Sequence, residues 1–136
     1  DVLCTLLKPG GTFFYADGHP AAWTLEESDG DQDGPLIALN PYWQTDFISE
    51  EWPESYTGQA IPVANSRAVE FPHTLEDFFS VFLKAGMRLT DFKELDAIPW
   101  KMFTRMVDKP EDRMFVMPEG QANFPLGFSM KWTKPL

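Results

Sequence analysis

The sequence predicts an α/β fold, and three observations carry that expectation. An apolar helix pattern breaks at Lys8-Pro9-Gly10-Gly11 into a continuous apolar strand; a well-capped amphipathic helix leads into a charged strand; and the last strand alternates cleanly with a period of two. The chain has 136 residues, of which 43% are hydrophobic and 15% aromatic, enough for a single domain over 1–136 and too few for two.

Each element has its own warrant. Val2, Leu3, Leu6 and Leu7 recur on one helical face, and the apolar pattern is already running at Asp1, as if the chain were entered partway through a helix. Pro9 disfavours a helical residue before it, and Gly10 and Gly11 permit a sharp exit. Thr12-Phe13-Phe14-Tyr15-Ala16 then reads as a central strand covered on both faces, the second half of a parallel βαβ unit, ending at Asp17-Gly18. Residues 18–65 show no regular period. They hold many of the prolines and aromatics (Trp23, Tyr42, Trp43, Phe47, Trp52 and Tyr56), which argues for a long excursion with a short helix or hairpin over a pocket.

Order returns at Ala68-Val69-Glu70-Phe71, a short strand closed by Pro72. Thr74 with Asp77 makes a variant capping box, and Leu75, Phe78, Phe79, Phe82 and Leu83 form one stripe ended by Lys84-Ala85-Gly86. Met87 to Leu95 reads as a strand whose charges, Arg88, Asp91, Lys93 and Glu94, suit a sheet edge. Residues 98–125 are again irregular. In Gly127 to Thr133, Phe128, Met130 and Trp132 share one face and Ser129, Lys131 and Thr133 the other.

A net charge of -10 argues against nucleic acid, whose phosphates require clustered lysine and arginine. No basic residue occurs between Lys8 and Arg67, while ten acidic residues do, from Asp17 to Glu54; a solvated acidic surface is the plain account. No apolar run approaches the roughly 18 residues of a membrane helix, and no signal-peptide pattern is present. Cys4 has no internal disulfide partner and sits in an apolar run, so it reads as a small buried hydrophobe in a reducing, cytoplasmic setting.

The segment Leu7-Lys8-Pro9-Gly10-Gly11 followed by Thr12-Phe13-Phe14-Tyr15-Ala16-Asp17, with helix, strand and final antiparallel strand downstream, resembles the C-terminal part of class I S-adenosylmethionine-dependent methyltransferases. Gly18-His19-Pro20, the aromatic-rich stretch after it and Phe71-Pro72-His73-Thr74 are similar to the methyltransferase type 11-like subset. The resemblance covers nearly the whole chain. It implies the C-terminal portion of a Rossmann-like sheet: one parallel strand, then a helix and two strands ending antiparallel, with 18–65 inserted over the acceptor pocket. It implies a methyl transfer to an unidentified small molecule, with S-adenosylmethionine as cofactor in the complete protein. The family's Gly-rich turn after the first strand and acidic residue after the second are absent, since Gly10-Gly11 precedes a strand and no Gly-x-Gly occurs. The isolated chain is therefore expected to be inactive and to need the missing N-terminal half of the same domain.

Ligands of open α/β sheets sit at the carboxyl ends of the parallel strands, which singles out the residues after Ala16. On this resemblance Asp17 and Gly18 face the cofactor. His19 is the candidate catalytic base, able as neutral imidazole to take a proton from an oxygen or nitrogen nucleophile; a loop histidine satisfying backbone groups is the alternative. Trp23, Tyr42, Trp43, His73, Trp100 and Phe103, with Met102, are candidate walls of the acceptor pocket, against ordinary packing under loops. Asp29-Gly30-Asp31-Gln32-Asp33-Gly34 begins like a calcium loop, but Asn40 stands where a bidentate glutamate is required, so no metal site is expected. The competing expectation is a non-catalytic module that binds a ligand or partner protein through its aromatic loops. An uncovered strand edge and apolar face also predict self-association of the fragment.

Overall fold

The structure, a computed structural model, describes residues 2–28, 34–51 and 65–136. The acidic calcium-loop candidate at 29–33 and the aromatics Trp52 and Tyr56 lie outside the described residues.

The first helix, α1 (Val2–Leu6), ends where the sequence places its stop. Gly10 takes φ +75°, a left-handed turn that returns the chain into β1 (Thr12–Gly18). The carbonyls at the end of α1 are satisfied from the far end of the chain: Lys134 Nζ donates to Cys4 O at 2.6 Å and Leu7 O at 2.9 Å. Between β1 and the second helix run a 3-10 turn (Ala22–Thr24), the hairpin of β2 (Leu25–Glu27) and β3 (Leu36–Ala38), and the pair β4 (Ile48–Glu51) with β5 (Arg67–Glu70). Helix α2 (Leu75–Lys84) has a full capping box, with Thr74 Oγ1 accepting from the Asp77 amide and the Asp77 carboxylate from the Thr74 amide. Then follow β6 (Arg88–Leu95), β7 (Ala97–Ile98), β8 (Val107–Lys109), β9 (Met114–Val116) and β10 (Gly127–Thr133).

The principal sheet has the order β1-β10-β6, so the last strand of the chain lies between the first and the sixth. Tyr15 stands opposite Met130 and Met130 opposite Phe92, and a bulge interrupts the second pairing at Lys131/Trp132. Phe128, Met130 and Trp132 turn to one face, where α2 lays Phe82, Phe78 and Phe79 over them, joined by Phe13, Tyr15, Leu89 and Phe92. Phe82 stacks on Trp132 at 5.0 Å between ring centroids, and Trp132 is fully buried. Cys4 packs half-buried against this core as a small hydrophobe. A second core, Ile98, Phe103, Met106 and Leu126, lies under the β7-β9-β8 sheet and the loops around it.

Every strand pairing among the described residues is antiparallel. This corrects the expected α/β, Rossmann-like sheet with a parallel strand: the described architecture is mostly antiparallel β with two helices. The strand expected to be central and parallel, β1, pairs antiparallel with β10 at the edge of its sheet. The misreading has a physical cause. Phe13-Phe14-Tyr15-Ala16 is a continuous apolar run, but only Phe13 and Tyr15 meet the core, while Phe14 is 63% exposed. The doubly covered position belongs to β10, in which Ser129 is buried along with the three large residues of the other face. The edge placement of β6 agrees with its charges. Leu83, counted in the α2 stripe, is exposed. The stretches without period hold short strands of two to four residues, too brief to show one.

Candidate functional site

A cleft of about 810 Å³ opens where β1 ends, a volume within the roughly 300–1,000 Å³ typical of small-molecule sites. Tyr15, Asp17 and Gly18 form one wall, β2 and the Asn40–Gln44 loop another, and Glu50, Glu70 to His73, Phe78, Met102 and Phe103 the rest. Tyr42 links two of these walls, its hydroxyl accepting from the Leu75 amide at 3.3 Å at the start of α2.

The junction between the principal sheet and the cleft depends on a pair of glycines. Gly18 and Gly127 stand opposite each other at the end of β1 and β10. A Cβ on Gly18 would come within 2.6 Å of the Trp23 indole nitrogen, and one on Gly127 within 2.8 Å of Ile98 and 3.0 Å of the Asp17 carbonyl. The space freed at Gly18 is thus filled by Trp23, which closes back over the strand end from the 3-10 turn.

The electrostatics are dominated by carboxylates. Asp17 accepts from the Tyr15 hydroxyl at 2.5 Å and from the Gly18 amide at 2.7 Å. Burial first, then the Asp17 bond and charge, push the Tyr15 phenol well above its ordinary value, so it stays a proton donor to Asp17. Glu70 is raised by burial and by the neighbouring charges of Glu50 and Asp17. Glu27 goes the other way. Burial opposes its ionisation, but Thr104 and Arg105 each donate from backbone and side chain, and together they pull it down to about 2. Arg105, itself 8% exposed, reaches Glu27 Oε1 at 2.9 Å and the Gly34 carbonyl at 2.8 Å. Part of the acidic stretch is therefore a half-buried clamp between β2 and the loop after β7 rather than a fully solvated surface.

The structure brings together Asp17, Gly18, Trp23, Tyr42, His73 and Phe103 of the sequence-predicted site residues, with Met102 beside them. His73 stands edge-on to Phe78 at 5.9 Å at the cleft rim. Trp43 lies outside the cleft, 77% exposed and edge-on to Tyr42. Trp100 also lies outside, half-buried against the second core. Phe103 belongs to both cleft wall and core.

His19 is not among the residues that line the cleft. It is buried, its amide donating to the Leu126 carbonyl at 2.9 Å and its carbonyl accepting from the Ala22 amide at 2.9 Å. Nδ1 accepts from the Ala21 amide at 3.1 Å, which leaves the proton of the neutral ring on Nε2. Nε2 faces Glu94 at 3.4 Å, a contact too loose for a well-formed hydrogen bond. Burial lowers its pKa and Glu94 only partly offsets this. The backbone of His19 thus ties the end of β1 to Leu126, while its imidazole is held locally by the Ala21 amide, which occupies its acceptor nitrogen.

Sequence reasoning missed Glu27, Arg105, Glu50 and Glu70. For Glu27 and Arg105 there is no local signal, because they meet across 78 positions of sequence and Asp108 offers Arg105 a nearer acidic residue; for Glu50 and Glu70 there is none either, because their approach depends on the β4–β5 pairing. Among the described residues no group of three or more His, Cys, Asp or Glu is arranged to hold a metal ion, and no helix is long and apolar enough to cross a membrane. No protein-family model, curated protein or solved structure matches the chain.

Proposed function

We propose that this chain is the acceptor-side portion of a cytoplasmic S-adenosylmethionine-dependent methyltransferase, acting on a small molecule. The observation that supports it most is the cleft at the carboxyl end of β1, directly downstream of the Lys8-Pro9-Gly10-Gly11 turn and walled by Trp23, Tyr42, His73 and Phe103. Methyl transfer gains chiefly from orientation and exclusion of water, so a site of this kind requires no catalytic acid. The aromatic walls hold the acceptor's body, with His73 at the rim beside Phe78.

The residues present do not fit the cofactor. Gly18 is closed over by Trp23, and β1 runs into a 3-10 turn rather than the start of a full helix. No step is assigned to this chain through the cofactor, and the isolated chain is inactive on this reading. The open edge of β1, with Phe14 exposed beside it, takes the rest of the domain in the complete protein and drives self-association in the fragment.

The test is twofold. The natural gene is expected to run upstream of Asp1 for roughly 100 residues and to encode a Gly-rich strand-turn-helix. Its product is expected to transfer a labelled methyl group to a small-molecule acceptor. A reading frame without that segment, or a full product that binds no S-adenosylmethionine, overturns the proposal in favour of a non-catalytic ligand-binding module.

A further inference from the structure

We infer that His19 is a pH-operated latch: as a neutral ring it anchors the 3-10 turn that lays Trp23 over the end of β1, and as an imidazolium it releases that turn and engages Glu94. His19 does not line the cleft, so the latch works whatever molecule the cleft takes and does not rest on the proposed methyl transfer.

The anchor is built from one residue, 5% exposed. The His19 carbonyl accepts from the Ala22 and Trp23 amides at 2.9 and 3.3 Å, and its own amide donates to the Leu126 carbonyl at 2.9 Å. Pro20 has no N–H, so the first donor after His19 is the Ala21 amide, which donates to Nδ1 at 3.1 Å. From this turn Trp23 reaches back over Gly18. Its indole nitrogen stands 2.6 Å from where a Cβ on Gly18 would sit, and the ring forms part of the cleft wall.

Protonation reverses one of these contacts and improves another. An imidazolium donates from both nitrogens. Nδ1–H then faces the Ala21 N–H, donor against donor, and the bond that starts the turn is lost. Nε2 has no hydrogen-bond partner among the described residues and faces Glu94 Oε1 at 3.4 Å, so the cation gains a charged partner there. The ring exchanges a neutral bond within its own turn for an ion pair on β6.

Among the described residues Glu94 is the titratable group that faces the ring. From β10 comes Phe128, edge-on at 6.2 Å, from the segment before it the Leu126 carbonyl, and from the turn Ala21 and Ala22. On β1 itself Asp17 is engaged by the Tyr15 hydroxyl and the Gly18 amide. Burial lowers the imidazole below its ordinary 6.5, and Glu94 offsets part of this. The neutral, latched form therefore holds at neutral pH, and release falls on the acid side of 6.5.

The experiment is an NMR titration of the 15N-labelled chain from about pH 8 to about pH 4.5. It follows the His19 ring nitrogens, the Ala21 amide and the Trp23 indole, with the fully buried Trp132 as reporter of the sheet core. The expected result is a neutral ring protonated on Nε2, then one midpoint below 6.5 shared by His19, Ala21 and Trp23 while Trp132 stays in place. His19→Asn, whose side-chain oxygen accepts from the Ala21 amide at every pH, is expected to abolish the movement of Trp23. Glu94→Gln removes the charge that receives the imidazolium and is expected to carry the shared midpoint to lower pH. Should His19→Asn lose the Trp132 signal at neutral pH, the wild-type tautomer and the Glu94→Gln midpoint decide alone. A ring protonated on Nδ1, or His19 titrating while Ala21 and Trp23 stay still, overturns the inference. So does protonation only together with loss of the Trp132 signal, which is global unfolding. Trp23 moving in a folded His19→Asn as it does in wild type also overturns it and assigns the movement to the cleft carboxylates.

Discussion

The two cores of this protein are built on different physics. Under α2, the principal sheet is held by interlocking aromatic rings: Phe82 on Trp132, Phe78 on Phe128, and Phe79 against Phe92, with centroids 5.0–5.3 Å apart. Beneath the β7-β9-β8 sheet there are fewer buried apolar residues, and the loops are fastened instead by the Glu27–Arg105 pair, which reaches across 78 positions of sequence. The first core depends on area and ring geometry, the second on one charge pair in which a buried Arg105 meets a half-buried Glu27. The cleft lies at their junction and borrows a wall from each: Tyr15 and Phe78 from the first, Phe103 and Glu27 from the second.

That contrast can be broken at either end. Trp132→Ala removes the fully buried indole and its stacking partner's contact, and should cost about 3–5 kcal/mol in urea unfolding; a loss under about 1 kcal/mol would mean that the aromatic core is not what holds the sheet. Arg105→Met strands Glu27 without its cation and is expected to cost about 3 kcal/mol near neutral pH. Its cost should depend on pH where that of Trp132→Ala does not. Glu27 ionises at about 2 in the folded chain against 4.5 ordinarily, so its contribution is complete above 4.5 and declines as the pH falls toward about 2. The gap between wild type and Glu27→Gln should accordingly narrow between pH 5 and pH 3; a constant gap would show that the carboxylate is not specially stabilised.

Thr74→Ala removes one half of the capping box and is expected to cost about 1 kcal/mol, read as a lower urea midpoint with an unchanged slope. The smallest effect concerns the open edge of β1. Light scattering should show the chain self-associating at high concentration, and Phe14→Lys should shift it toward monomer without lowering the unfolding midpoint. A monomer at all concentrations would remove the edge as an association surface.

The first core was largely legible in the sequence and the second was not. The α2 stripe, its Thr74 cap and the alternation of Phe128, Met130 and Trp132 are local patterns, and apart from the exposed Leu83 they place their apolar residues in the first core without knowledge of the rest of the fold. The partnership of strands is not local: nothing in Thr12–Ala16 says that its neighbour is the end of the chain, running antiparallel. The cleft followed the same division. Trp23, Tyr42, His73 and Phe103 could be placed near the end of β1 by chemistry and a family resemblance. Glu50 and Glu70 could not, because only the β4–β5 ladder makes them neighbours. His19 lies off the cleft lining with Nδ1 on the Ala21 amide and Nε2 toward Glu94, a placement that nothing local to Asp17-Gly18-His19-Pro20 specifies.

On the proposed function, this chain supplies an acceptor cleft and depends on the rest of its domain for the cofactor. Calorimetric titration of S-adenosylmethionine into the full gene product and, separately, into this chain tests it most directly. One-to-one saturable binding by the full product and no saturable binding by the chain are expected. Tight binding by the chain alone, or none by the full product, would contradict it.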